Sequence, residues 1–174
     1  MEFFFISTII TTILLFCGGF FDVVWIPTRK SDYDRIASLA EIKPGLVLWD
    51  IGSGTANMLF YLSKKYKIVC KGIEISPLLY LYSKIKSSFH RNVKIYYGNF
   101  SKYDLGDADL IYVYLHHKSY KKIVNKVIAS CKNKTKIIMA CWPLEGATPT
   151  ATSREVGKMT FFLYEKATFL RERG

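Results

Sequence analysis

Apolar residues follow three rhythms along this chain, and each rhythm predicts a different kind of element. Residues 3–21 carry no charge at all, and the apolar run continues through Val23, Val24, Trp25 and Ile26 past a single acid, Asp22. A run of this length suits a hydrocarbon core about 30 Å thick, which takes roughly 20 apolar residues. Residues 1–26 are therefore predicted to be a membrane anchor. The rival reading is a cleaved signal peptide, but no Lys or Arg precedes the run, no Ala-x-Ala-like site closes it, and Arg29 and Lys30 follow it. Under the positive-inside tendency that basic flank stays on the cytoplasmic side. The expected arrangement is a single-pass membrane protein with its domain in the cytoplasm.

The second rhythm is short and apolar. Residues 46–49 read as a strand buried on both faces, and residues 67–75, 92–97, 110–115 and 136–142 are further strands. The third rhythm is helical. Tyr33, Ile36, Ala37 and Ala40 share one face of a helix over 31–40, and Met58, Leu59, Leu62 and Tyr66 do so over 56–66. Two more helices are predicted over 78–88, with Pro77 in its first turn, and over 118–131. Residues 146–153 read as a loop and 159–164 as a last strand pairing at the sheet edge. Strands alternating with helices predict one Rossmann-like, doubly wound, mostly parallel sheet of the α/β class over residues 27–174, with ligands at the carboxyl ends of its strands.

Composition changes this picture in two respects. The net charge of +11 comes from Lys and Arg spread over the domain. With an anchor present, anionic lipid is the economical partner, ahead of nucleic acid. Cys17, Cys70, Cys131 and Cys141 are scattered with no Cys-x-x-Cys pair and no His at ligand spacing, so buried free thiols and no metal site are expected.

The chemistry is concentrated at two strand tips. Asp50 closes the first strand and leads into Gly52-Ser53-Gly54, and Glu74 closes the second. The third glycine of a dinucleotide fingerprint is missing, since the turn runs on as Thr55-Ala56-Asn57. An acid before the glycines repels a pyrophosphate but suits a cofactor bearing an ammonium and a sulfonium. Glu74 has two oxygens to match a ribose diol.

Trp49-Asp50-Ile51-Gly52-Ser53-Gly54, Gly72-Ile73-Glu74-Ile75-Ser76-Pro77 and the strand 108–115 resemble the class I S-adenosylmethionine-dependent methyltransferases over roughly residues 43–142. Together with the apolar N-terminus and Ile26-Pro27-Thr28, they look most like the FAM173-type protein-lysine methyltransferases. The resemblance implies S-adenosyl-L-methionine as cofactor. Asp50, Gly52 and Gly54 would line its methionine and ribose, Glu74 would hold the ribose, and Asn99 would stand where an acid usually meets the adenine amine. Thr28, Ser53, Ile75 and Phe100 would complete the cofactor site.

The resemblance also implies a lysine of a membrane-associated protein as substrate; presenting such an amine in neutral form calls for an apolar channel with a hydroxyl or carbonyl aimed at it, for which Tyr112, Tyr114 and Leu115 at the end of the fourth strand are the candidates. His116-His117 is expected to be a loop or helix cap. The Asn-Pro-Pro-Tyr signature of amide and nucleobase amino methyltransferases is replaced by Tyr114-Leu115-His116-His117, which argues against those acceptors. Two alternatives remain open at this point: a small-molecule or lipid methyltransferase of the same fold, and a non-catalytic interaction module.

Overall fold

The computed structural model describes Thr8 and residues 26–167. Most of the expected anchor lies outside these residues, and among the described residues no helix is long and apolar enough to cross a membrane. The fold runs from a 3-10 turn (Lys30–Asp32) into α1 (Tyr33–Ala40), β1 (Val47–Ile51), α2 (Asn57–Tyr66), β2 (Val69–Glu74), α3 (Pro77–Ser87) and β3 (Val93–Tyr97). It continues with β4 (Leu110–Val113), α4 (Tyr120–Ser130), β5 (Lys136–Ala140), β6 (Ala151–Ser153) and β7 (Phe161–Glu165).

These strands form one seven-stranded sheet in the order β3-β2-β1-β4-β5-β7-β6. The first five are parallel, whereas β7 runs antiparallel to both β5 and β6. The chain moves outward from β1 to β3 and then returns to β4 on the other side of β1. That reversal opens a crevice between β1 and β4 at the carboxyl ends, the place where open α/β sheets bind ligands.

Period-two side chains divide the core between the sheet's two faces. On one face Leu48, Tyr112, Ile138 and Phe161 meet Ile36 and Ala37 of α1 and Leu59 and Leu62 of α2. On the other, Trp49, Ile111, Val113 and Met139 meet Ile123 and Val127 of α4. Each fully buried Leu or Ile contributes on the order of 2 kcal/mol, so the helical faces hold the strand tips in a fixed register.

Several details depart from expectation, whereas His116 is the helix cap it was expected to be. Residues 151–153 form β6, a three-residue edge strand inside the predicted loop, so β7 lies one strand in from the edge. A strand that short has no period to detect, and it exists because β7 presents a free edge to pair with. The fourth strand ends at Val113 rather than Leu115, and the fifth ends at Ala140 because Cys141 takes a left-handed backbone with φ 72°. The helix after β4 opens as a 3-10 turn, His117–Ser119, capped by His116, whose Nδ1 accepts from the Lys118 N–H. Cys70 and Cys131 are buried free thiols, but Cys141 lies beyond its strand and is only half-buried.

Candidate active site

A cavity of about 380 Å³ opens at the β1/β4 crevice. Asp50 lies directly opposite Tyr112 on β4 and Gly72 on β2, so the three share one row of the sheet. Because Gly72 has no side chain, the Ser53 hydroxyl folds over it, and a Cβ there would stand 2.6 Å from Ser53 Oγ.

Backbone bonds begin to hold the turn after β1: Gly52 and Ser53 both donate to the Ile73 carbonyl, at 2.9 and 3.0 Å. Gly52 has φ +85°, and a Cβ on it would come within 2.6 Å of Leu115 Cδ2. Only glycine fits there. Ala56 then caps α2 in a left-handed conformation with φ 56°, at a cost of roughly 1–2 kcal/mol for a residue with a Cβ.

Glu74 fastens this turn to the next helix. Its Oε2 accepts from the Gly54 N–H at 2.6 Å and its Oε1 from the Ser76 N–H at 2.7 Å. Each carboxylate oxygen keeps a further lone pair for a ligand hydroxyl. Asp50 is 5 % exposed and lines the cavity, and no donor among the described residues reaches its carboxylate. Burial, with the Glu74 charge adding to it, pushes its acid up to about 8. Ser53 Oγ is likewise buried without a hydrogen-bond partner among the described residues. An unpaired carboxylate beside an unpaired hydroxyl is costly in a core and useful against a cationic ligand.

The wall beside Asp50, on the β4 side of the crevice, is aromatic. Tyr112 is fully buried, its hydroxyl 2.8 Å from Thr28 Oγ1, and burial holds its phenol far above the ordinary range. Tyr114 is half-buried beside the Cys141 thiol, and burial pushes its phenol up to about 12. Both are neutral hydroxyls near neutral pH. Leu115 packs over Gly52 and so belongs to both sides.

The structure brings Thr28, Asp50, Gly52, Ser53, Glu74, Ile75, Asn99, Phe100, Tyr112, Tyr114 and Leu115 onto the cavity wall. Gly54 is not on the wall and acts through its bond to Glu74. Asn99 caps the 3-10 turn Phe100–Lys102, its Oδ1 accepting from the Ser101 N–H at 2.9 Å, so one of its acceptor positions is already in use. Trp142 is not among the lining residues; its ring stands 6.3 Å from those of His116 and His117.

Sequence reasoning passed over several lining residues. Ser76 and Leu79 come from the start of α3, Ser119 and Lys122 from the turn into α4, and Tyr33 and Met58 from the packed faces of α1 and α2. The first four had a detectable signal, because in a parallel sheet the segment that follows a strand begins at the carboxyl end where ligands bind.

The profile of the ANTKMT methyltransferase domain matches residues 50–151, well over half of the chain. Among curated proteins no sequence matches it. Among solved structures, an RNA methyltransferase from Salinibacter ruber in complex with S-adenosyl-L-homocysteine superposes with a TM-score of 0.76 at 22% identity, covering 80% of this chain and 93% of that one. An S-adenosylmethionine-dependent methyltransferase from Thiobacillus denitrificans, also with S-adenosyl-L-homocysteine, gives 0.55 at 18% identity over 67% of this chain and 50% of its own. A dimethyladenosine transferase from Plasmodium falciparum gives 0.56 at 20% identity over 67% and 42%. At such identities these likenesses carry the fold, and the chain spans only about half of the latter two. The family profile begins at Asp50 itself and runs through Glu74 and the end of β4, so the chain belongs to the ANTKMT methyltransferase family within the class I S-adenosylmethionine-dependent methyltransferases.

Proposed function

We propose that the protein methylates the side-chain amine of a lysine in a membrane-associated protein. The observation that carries this reading is one cavity that sets a buried acid on β1 beside an aromatic, hydroxyl-lined wall on β4. Bound S-adenosylmethionine supplies an electrophilic methyl group on a sulfonium.

Asp50 answers its positive charges, the Ser53 hydroxyl offers a hydrogen bond, and the free lone pairs of Glu74 accept from its ribose. Asn99 and Phe100 border the adenine position. Leu115, packed on Gly52, excludes water between the two sides.

On the acceptor side the nucleophile has to arrive as a neutral amine. A lysine threaded between Tyr112, Tyr114 and the Ile26-Pro27-Thr28 segment leaves water, which lowers its pKa. The neutral Tyr114 hydroxyl accepts a hydrogen bond from the amine without the ion pairing that would hold it protonated. The nitrogen–methyl bond then forms as the sulfur–methyl bond breaks, in line, with the positive charge moving from sulfur to nitrogen.

The membrane location rests on the uncharged run of residues 3–21 and the basic flank that follows it. Full-length protein incubated with methyl-labelled S-adenosylmethionine and a membrane extract should label a protein band, and hydrolysis should release methyl-lysine. Label found only in RNA or only in the organic phase overturns the acceptor while leaving the enzyme class intact. Release of the protein from membranes by alkaline carbonate would overturn the anchor.

A further inference from the structure

The outer face of α3 carries an apolar stripe that none of the described residues covers. Leu78, Leu81, Tyr82 and Ile85 are all exposed, with Ile85 at 60 %, and Phe89 in the turn after the helix is 82 % exposed. At 100° per residue these five positions fall within an arc of roughly 100°. The opposite side of the helix is the packed one, where Ser83 is buried and the Tyr80 ring meets Tyr97 at 5.2 Å. Single exposed apolar residues are ordinary, whereas five in one stripe mark a contact surface.

Charge indicates what that surface meets. From residue 75 to residue 103 the chain holds no Asp or Glu, while Lys84, Lys86, Arg91, Lys94 and Lys102 all fall within it. An apolar stripe bordered only by cations fits the interface of a bilayer, where apolar side chains enter the acyl boundary and cations stay among the headgroups. Position agrees with charge. Ile26 and Pro27, which connect the apolar run of residues 3–21 to the fold, line the same cavity as Ile75, Ser76 and Leu79 at the start of α3. Residues 26 and 27 and the start of α3 thus border one cavity, on the wall from which the stripe-bearing helix sets out.

We propose that α3 is a membrane-docking helix that lies flat on an anionic lipid surface through Leu78, Leu81, Tyr82, Ile85 and Phe89. This contact turns the mouth of the cavity toward the headgroup region. It does not depend on which acceptor is methylated, and it is separate from any anchoring by residues 1–26.

The test uses the full chain with Phe89 replaced by photoreactive benzoylphenylalanine, mixed with vesicles of phosphatidylcholine alone or with about 30 mol% phosphatidylserine. Irradiation should yield a protein–lipid adduct, several-fold more of it on the anionic vesicles. Reversing Lys84 and Arg91 to Glu should lower that yield more than tenfold, since each cation near an anionic surface is worth about a fivefold change in binding. Leu81→Ser with Ile85→Ser, at two exposed positions where the fold does not depend on the side chain, should lower it as well. Equal yields on neutral and anionic vesicles, no lipid adduct, or cross-links only to a second copy or to residues 1–25 would each overturn the proposal. Failure of the lysine reading would leave these yields unchanged.

Discussion

The two sides of the cavity are built in opposite ways. The carboxylate side is local: Asp50, Gly52, Ser53 and Gly54 lie within five residues, and the 20-residue step to Glu74 is one βαβ unit. The aromatic side is assembled from afar, with Thr28 meeting Tyr112 across 84 residues and Leu115 closing on Gly52. Local construction holds the carboxylate side through backbone bonds to Ile73 and through a single side chain, Glu74. Distant construction leaves the aromatic side to side-chain contacts, each of which a single substitution can remove.

Glu74→Ala should break this contrast most sharply. It removes the acceptor of the Gly54 N–H at 2.6 Å and of the Ser76 N–H at 2.7 Å, so the cofactor turn loses its tie to α3. Each buried N–H left without a partner costs about 1–3 kcal/mol. We expect a fall in Tm together with a loss of S-adenosylhomocysteine affinity of about 100-fold or more by calorimetry. Unchanged affinity would mean that the carboxylate is only a structural clamp.

Asp50 should give the next largest effect, and it is readable by pH. Its acid sits at about 8 in the fold, through burial first and the Glu74 charge second, against an ordinary carboxyl value near 4 in the unfolded chain. A raised carboxyl pKa favours the folded state at low pH, and this advantage drains away as pH rises from about 4 to about 8, by at most about 1.4 kcal/mol per pH unit. Cofactor binding has the opposite slope, because a cationic ligand needs the carboxylate. Between pH 5.5 and 7, where the ligand's α-amino group stays charged, affinity should rise by up to about tenfold per pH unit. Asp50→Asn should flatten both curves, as followed by thermal denaturation and calorimetry across that range.

Thr28→Val tests the distant side, because Thr28, expected in the cofactor site, is bonded to Tyr112 of the aromatic wall. It keeps the shape and leaves the buried Tyr112 hydroxyl without its 2.8 Å partner, at about 1–3 kcal/mol. The methyl-transfer rate should fall several-fold with cofactor affinity nearly unchanged. Adding Tyr112→Phe removes the orphaned hydroxyl and should recover part of the lost stability, a coupling that a double-mutant cycle measures directly.

The same division decides how much could be read from the sequence. Asp50 and Glu74 were legible because an acid that ends an apolar strand beside a Gly-x-Gly turn is a pattern within a few residues. The five parallel strands were legible as alternating runs, and the crevice followed from topology. Leu115 was expected only at the acceptor wall, yet it also closes on Gly52, because nothing in either segment announces that approach. The β6 edge and the left-handed Cys141 were hidden for a related reason: both depend on where β7 lies, and three residues or one dihedral carry no periodicity. The cap made by Asn99 on Ser101 escaped notice because the Asn was weighed against a ligand and not against its own backbone.

Asn99→Asp should produce the smallest change and the most discriminating one. An Asp caps the 3-10 turn as well as Asn does, so the bond to the Ser101 N–H persists and stability should move by less than about 0.5 kcal/mol. What changes is the charge presented to the cavity. If Asn99 borders the adenine amine, a carboxylate there makes a stronger, charge-assisted hydrogen bond, and S-adenosylhomocysteine affinity should rise about three- to tenfold. The gain should be smaller or absent with an analogue that lacks the exocyclic amine, measured by the same calorimetry. An equal gain with both ligands would assign the effect to something other than the exocyclic amine and remove Asn99 from the adenine site, leaving the cofactor side defined by Asp50, Ser53 and Glu74 alone.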